Sequence, residues 1–259
     1  MLNYDYLNNN KLETIVLLHG FGGNANCFKK QIDDLKSHFN ILMIDMHVHG
    51  KSKNMHLGTS EEFTLRKIAF DINTLLEKLH IPQIHFMSLS LGTMVATVYA
   101  YHYPKKVLSL LNIGAIIKLR PIDHFLLRLV YKHKRFIPRM FIYYVAGFVV
   151  MPLNKHRKAR KMNHEDFFMW TKLMMNFESL YPAEKLNFNF PTLYASGAYD
   201  RVFVEEVKKY CDNSKYSYLC ILKDAGHICN IGDPECFNKL MLEFYQDIFE
   251  LPLVVNAKF

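Results

Sequence analysis

Short apolar runs alternate with longer amphipathic stretches along most of this chain, and that alternation leaves few folds open. The apolar runs are Thr14–Leu18 (TIVLL), residues 39–44 (FNILMI), 84–87 (IHFM), Val107–Ile113, 192–195 and Ser217–Leu222. Between them, residues 24–38, 61–80, 91–103, 204–211 and 234–249 carry apolar side chains at helical spacing. In 61–80, Phe63, Ile68, Ile72, Leu75, Leu76 and Leu79 fall on one face, after a Thr59/Ser60 start and before Pro82. Strands that are apolar at successive positions must be covered on both faces, and helices between them supply the cover. The expected fold is therefore α/β, a mostly parallel sheet with helices on both faces.

The alternation lapses over residues 116–183, which are basic, aromatic and broken by Pro121, Pro138 and Pro152. This reads as a helical cap inserted into a core formed by 1–115 and 184–259. The net charge of +8 is concentrated there: residues 118–172 hold 13 Lys and Arg against 3 Asp and Glu. The five cysteines are odd in number and show no C-x-x-C pair, so neither a disulfide framework nor a zinc knuckle is expected. No N-terminal stretch reads as a secretory signal. The apolar run 140–153 is shorter than the roughly 20 residues a membrane span takes. A cytoplasmic protein is the expectation.

The segment IHFMSLSLGTMVA carries the chemistry. An apolar strand runs to Ser88, a turn places Ser90, and a helix of small residues begins at once. In a nucleophile elbow the serine occupies a strained strand-to-helix turn, and the residues two positions either side must be small. Ser88 stands where a glycine is usual, and Gly92 matches. An acyl-transferring serine also needs donors for a developing oxyanion. Leu91 offers its backbone N–H at a helix start, and HGFGG (19–23) offers that of Phe21. His19 is expected to brace that loop.

Among thirteen histidines, position selects His227, in DAGHICN just after the last strand, as general base. Asp200, in GAYD after an earlier strand, could hydrogen-bond the imidazole and fix its tautomer. Alone, Ser90 reads equally as a helix cap, and Asp200 more readily as a cap or turn residue. The chain order Ser90, Asp200, His227 favours the catalytic reading of all three.

At HGFGG, SLSLG, GAYD and AGH…DPECF the chain resembles the α/β-hydrolase superfamily, in its small capped serine esterase form. The resemblance covers nearly the whole chain and implies a sheet of about seven or eight strands, with a shortened start because only one strand fits before Glu13. It also implies no cofactor, no metal, and a two-step acyl-enzyme mechanism. The expected substrate is a small-molecule carboxylic ester with an apolar acyl group. A thioester, or an acyl group on an acidic carrier protein, is the nearest alternative; an acyltransferase or a catalytically silent binding protein on the same fold is the next.

IDMHVHGKS (44–52) poses a rival, because Asp45, His47 and His49 have the spacing of amidohydrolase metal ligands. In the resembled family a D-x-x-G-H-G-x-S loop occupies this place. Asp45, His49, Gly50 and Ser52 fit it, with His47 and Val48 replacing the usual arginine and glycine. A loop hydrogen-bonding role is expected over metal ligation. Aromatic residues of the cap, Phe125, Phe141, Tyr144, Phe167 and Trp170 among them, are expected to line an acyl pocket. Its cations, densest in NKHRKARK (154–161), would face an acidic carrier protein or an anionic membrane surface. No nucleic-acid motif accompanies them.

Overall fold

A computed structural model describes residues 1–55, 63–136, 163–200 and 202–250. The strands are β1 (Asn3–Leu7), β2 (Thr14–Leu18), β3 (Asn40–Asp45), β4 (Ile84–Leu89), β5 (Val107–Ile113), β6 (Thr192–Gly197) and β7 (Ser217–Leu222). They form one seven-stranded sheet in the order β1-β3-β2-β4-β5-β6-β7. Only β1 runs antiparallel, along β3. As an edge strand it alternates exposed and half-buried residues, whereas β2 is buried at every position.

The pleat divides the core in two. Val16, Leu18, Leu42 and Ile44 face one apolar cluster, and Ile15, Leu17, Ile41 and Met87 face the other. Side chains alternate across a strand with period two, so burial on both faces makes the sequence of each central strand continuously apolar. The first cluster is closed by α2 (Leu65–Lys78) and α3 (Leu91–His102), the second by the last helix, α7 (Pro234–Glu250). Between β5 and β6 lie α4 (Pro121–Lys132) and α5 (His164–Leu180). Phe167, Phe168 and Trp170 of α5 join the first cluster.

Several expectations are corrected in detail. Residues 24–38 form a 3-10 turn (Ala25–Phe28) and a four-residue helix, α1 (Ile32–Leu35), rather than one helix. Lys29 and Lys30 lie exposed between the two, and Lys36 is exposed after them. α2 begins at Leu65 because Thr64 caps it, its side chain accepting from the Lys67 N–H; the Thr59/Ser60 start lies outside the described residues. Pro121 starts α4 instead of breaking a helix, since the first turn does not need its missing N–H. β4 runs one residue past Ser88, to Leu89. Phe125 is 61 % exposed and does not join the apolar cluster that holds Phe167 and Trp170. Phe141, Tyr144, the run 140–153 and the cluster 154–161 lie outside the described residues. Among the described residues no helix is long and apolar enough to cross a membrane.

Candidate active site

In an open parallel sheet the space for a ligand lies beyond the carboxyl ends of the strands. β4 delivers Ser90 there on a backbone of φ 51° and ψ −113°, a conformation sparsely populated by any residue with a side chain. Tight anchoring holds it. The Ser90 N–H donates to Ile113 O at 2.8 Å, and Thr93 donates to Ser90 O from both its N–H and its Oγ1, at 2.8 and 2.6 Å. Gly92 lets α3 close onto β2, because a Cβ there would lie 2.3 Å from Leu18 O. Ser88 fills the other small position, and its Oγ donates to Asn112 Oδ1 at 2.6 Å across the β4–β5 pair. The serine that replaces glycine is thus accommodated by a buried polar partner on the neighbouring strand.

The residues selected in the sequence come together. Asp200 follows β6 and His227 follows β7, and both are almost fully buried. His227 Nδ1 donates to Asp200 Oδ2 at 2.7 Å, which leaves Nε2 to accept from Ser90 Oγ at 2.8 Å. Ser90 precedes α3 but makes no side-chain capping bond, and the residue that caps the helix after Asp200, α6 (Val204–Asp212), is Phe203. Ser90 thus holds the N-cap position of α3 without capping it through its side chain, and Asp200 does not hold the N-cap position of α6. Gly114 makes room for His227: a Cβ there would sit 2.4 Å from His227 O and 2.9 Å from its ring.

The loop after β2 is built from histidines. His19 Nδ1 donates to Gly20 O at 2.8 Å, and Nε2 accepts the Met46 N–H at 3.0 Å. His49 repeats the arrangement, with Nδ1 donating to His47 O at 2.9 Å and Nε2 accepting the Gly22 N–H at 3.0 Å. Both rings are therefore neutral. Burial, reinforced by neighbouring His19, pushes His49 down to about 3; burial also lowers His19. His19 braces the loop as expected, and His49 braces it from the far side. Phe21, at the loop's tip, packs edge-on against Phe167 at 5.2 Å.

Asp45, His47 and His49 do not converge on a common point. Asp45 accepts from the backbone N–H of Ala25 and of Lys51, and the His49 lone pair is used by Gly22. His47 Nε2 pairs with Asp71 at 2.9 Å, while its carbonyl accepts from Trp170 Nε1, a tie from α5 to this loop. Among the described residues no group of three or more His, Cys, Asp or Glu could hold a metal ion. Val48 takes the left-handed backbone, φ 57°, that a glycine would adopt freely. That costs about 1–2 kcal/mol, and burying its side chain, 2 % exposed, offsets it by a similar amount.

Fold and site together define a class. Residues 13–167 match the family model for the alpha/beta hydrolase fold, and the chain belongs to that family. Among curated relatives, it is 34 % identical over 98 residues to a pimeloyl-[acyl-carrier protein] methyl ester esterase of Hamiltonella defensa, covering 38 % of this chain and 34 % of that protein. It is 29 % identical over 103 residues to a putative carbamate hydrolase of Yersinia enterocolitica, covering 40 % of this chain and 36 % of that one. The chain thus spans about a third of the length of the curated relatives it matches. A hydrolase of Pseudomonas aeruginosa superimposes with a TM-score of 0.80 at 23 % identity, over 94 % of each chain, and so shares the fold.

Proposed function

We propose that this chain is a serine hydrolase cleaving carboxylic esters with an apolar acyl group. The observation that carries the reading is the unbroken hydrogen-bond path Asp200–His227–Ser90, at 2.7 and 2.8 Å, ending on a strained serine. Ser90 Oγ attacks the acyl carbon while His227 Nε2 takes its proton. The carbonyl oxygen becomes an oxyanion, for which the backbone N–H groups of Phe21 and Leu91 are the assigned donors. Asp200 holds the imidazole in register and stabilises the imidazolium. Collapse expels the alcohol, which leaves with the proton from Nε2. Water then attacks the acyl-enzyme, its proton passing to His227 and on to Ser90 as the acid departs.

Apolar groups beside the site support an apolar acyl chain. Phe203 lies 5.2 Å from the His227 ring, and Phe21 and Phe167 pack together above the loop. A second reading, that the acyl group rides on an acidic carrier protein, is favoured by the similarity to the pimeloyl-carrier ester esterase and by the basic segment 118–172. A fluorophosphonate should label wild type at Ser90 and leave Ser90→Ala unlabelled. A panel of p-nitrophenyl esters and acyl thioesters of graded length would then define the acyl group. Hydrolysis by Ser90→Ala or His227→Ala within tenfold of wild type would refute the assignment. Activity lost to EDTA and restored by zinc would point instead to a metal mechanism.

A further inference from the structure

The helix α4 is apolar on two opposite sides. Leu127, Val130 and Tyr131 pack inward, Tyr131 against Phe168 at 6.1 Å, and His124 Nε2 meets Met175 O at 3.2 Å. The reverse side presents Ile122, Phe125, Leu126 and Leu129, which are 55, 61, 48 and 44 % exposed. Their spacing of three, one and three residues places them in a single stripe. Isolated exposed apolar residues are ordinary, but a contiguous stripe marks a contact surface. We propose that this outer face of α4 seats the protein on an anionic lipid surface.

Charge selects lipid over the other occupants. Arg128 and Lys132 lie along one flank of the stripe, and Lys134 and Arg135 follow the helix. The helix's own acid, Asp123, is held by Arg120 at 2.6 and 3.0 Å, so it leaves little free negative charge on this face. A second copy would bring like charges together. A soluble acidic protein would satisfy the cations but would also need an apolar groove the length of the stripe. A bilayer with anionic headgroups supplies both, and a helix lying in its interface buries the apolar side while cations meet the phosphates. α4 starts shortly after Gly114, which lies against His227, so the helix leaves the sheet from the end that carries Ser90.

The test is cosedimentation of the full chain with phosphatidylcholine vesicles, with and without phosphatidylserine. Wild type should pellet with the anionic vesicles, and added salt should weaken the binding. The double variant Phe125→Ser/Leu129→Ser should bind at least about tenfold more weakly. Its p-nitrophenyl ester hydrolysis and thermal midpoint should stay at wild-type values, because both side chains are exposed and neither belongs to the Ser90–His227–Asp200 path. Ser90→Ala should bind vesicles as wild type does, which separates this proposal from the hydrolase reading. Wild type remaining in the supernatant, or the double variant pelleting equally, would overturn it. So would a dimer that the double variant abolishes, since that assigns the face to a second copy. A lowered thermal midpoint with unchanged vesicle binding would assign the stripe to internal packing, again overturning it.

Discussion

Acidifying the protein from pH 7 to pH 5 should cost about 2 kcal/mol of folding stability through His49 alone. The residue is 3 % exposed, and its Nε2 faces the Gly22 N–H, so a proton there would meet another donor in a buried space. Burial, with neighbouring His19, holds the folded ring at about 3, against 6.5 in the unfolded chain. The unfolded state therefore binds a proton first as pH falls. The contribution of His49 is complete above pH 6.5 and is lost progressively down to about 3. Between pH 7 and 5 that is roughly 1.4 kcal/mol per pH unit below 6.5, or about 2 kcal/mol. His19 is lowered for the same reason and adds with the same sign. The carboxyls of Asp71 and Glu77 are held below their usual values by hydrogen-bonded partners and act in a more acidic window.

Urea unfolding measures the effect. With a slope of about 3 kcal/mol per molar, the His49 share moves the midpoint by roughly 0.7 M between pH 7 and 5. His49→Gln separates that share from the others, because the amide can face Gly22 but does not titrate. Its midpoint should fall less steeply with pH than that of wild type. Equal pH slopes in the two proteins, or a wild-type midpoint unchanged at pH 5, would refute the reasoning. Because Gly22 follows Phe21 in the same loop, acid should also loosen the assigned oxyanion donor before the protein unfolds globally. Faster hydrogen exchange at the Phe21 and Gly22 amides below pH 5, ahead of any loss of near-UV circular dichroism, would report it.

Ser90→Gly should be about 1–2 kcal/mol more stable than Ser90→Ala, because glycine relieves the strained backbone at φ 51°, while both lose hydrolysis; thermal melts compare them. Gly92→Ala should destabilise by about 2–3 kcal/mol and depress activity, since its Cβ would press into Leu18 O and move the elbow off β2; chemical unfolding and ester turnover read the two effects. Neutralising Lys155, Arg157, Lys158 and Arg160 together should slow hydrolysis of esters on an acidic carrier protein while leaving small neutral esters unchanged. Equal effects on both substrates would count against a carrier.

Much of the molecule was legible in the residues. The five central strands are buried on both faces, which makes them continuous apolar runs, and they stood out for that reason; the edge strand β7 is only partly buried and stood out by its apolar residues alone. Ser90 was legible because the elbow forces small neighbours on both sides, and that constraint leaves a local pattern. Asp200 and His227 were identified by chain order after their strands. Whether they touch Ser90 is settled only by the sheet order, which sets β4, β5, β6 and β7 side by side. Other features had no local signal at all. The Ser88–Asn112 bond, the space that Gly114 leaves for His227, and the Trp170 tie to His47 each join residues distant in sequence. The spacing of Asp45, His47 and His49 even suggested a metal site. Packing decided otherwise by turning each side chain to a different partner, because a hydrogen bond is fixed by where groups lie in space and spacing along the chain fixes only which groups are available.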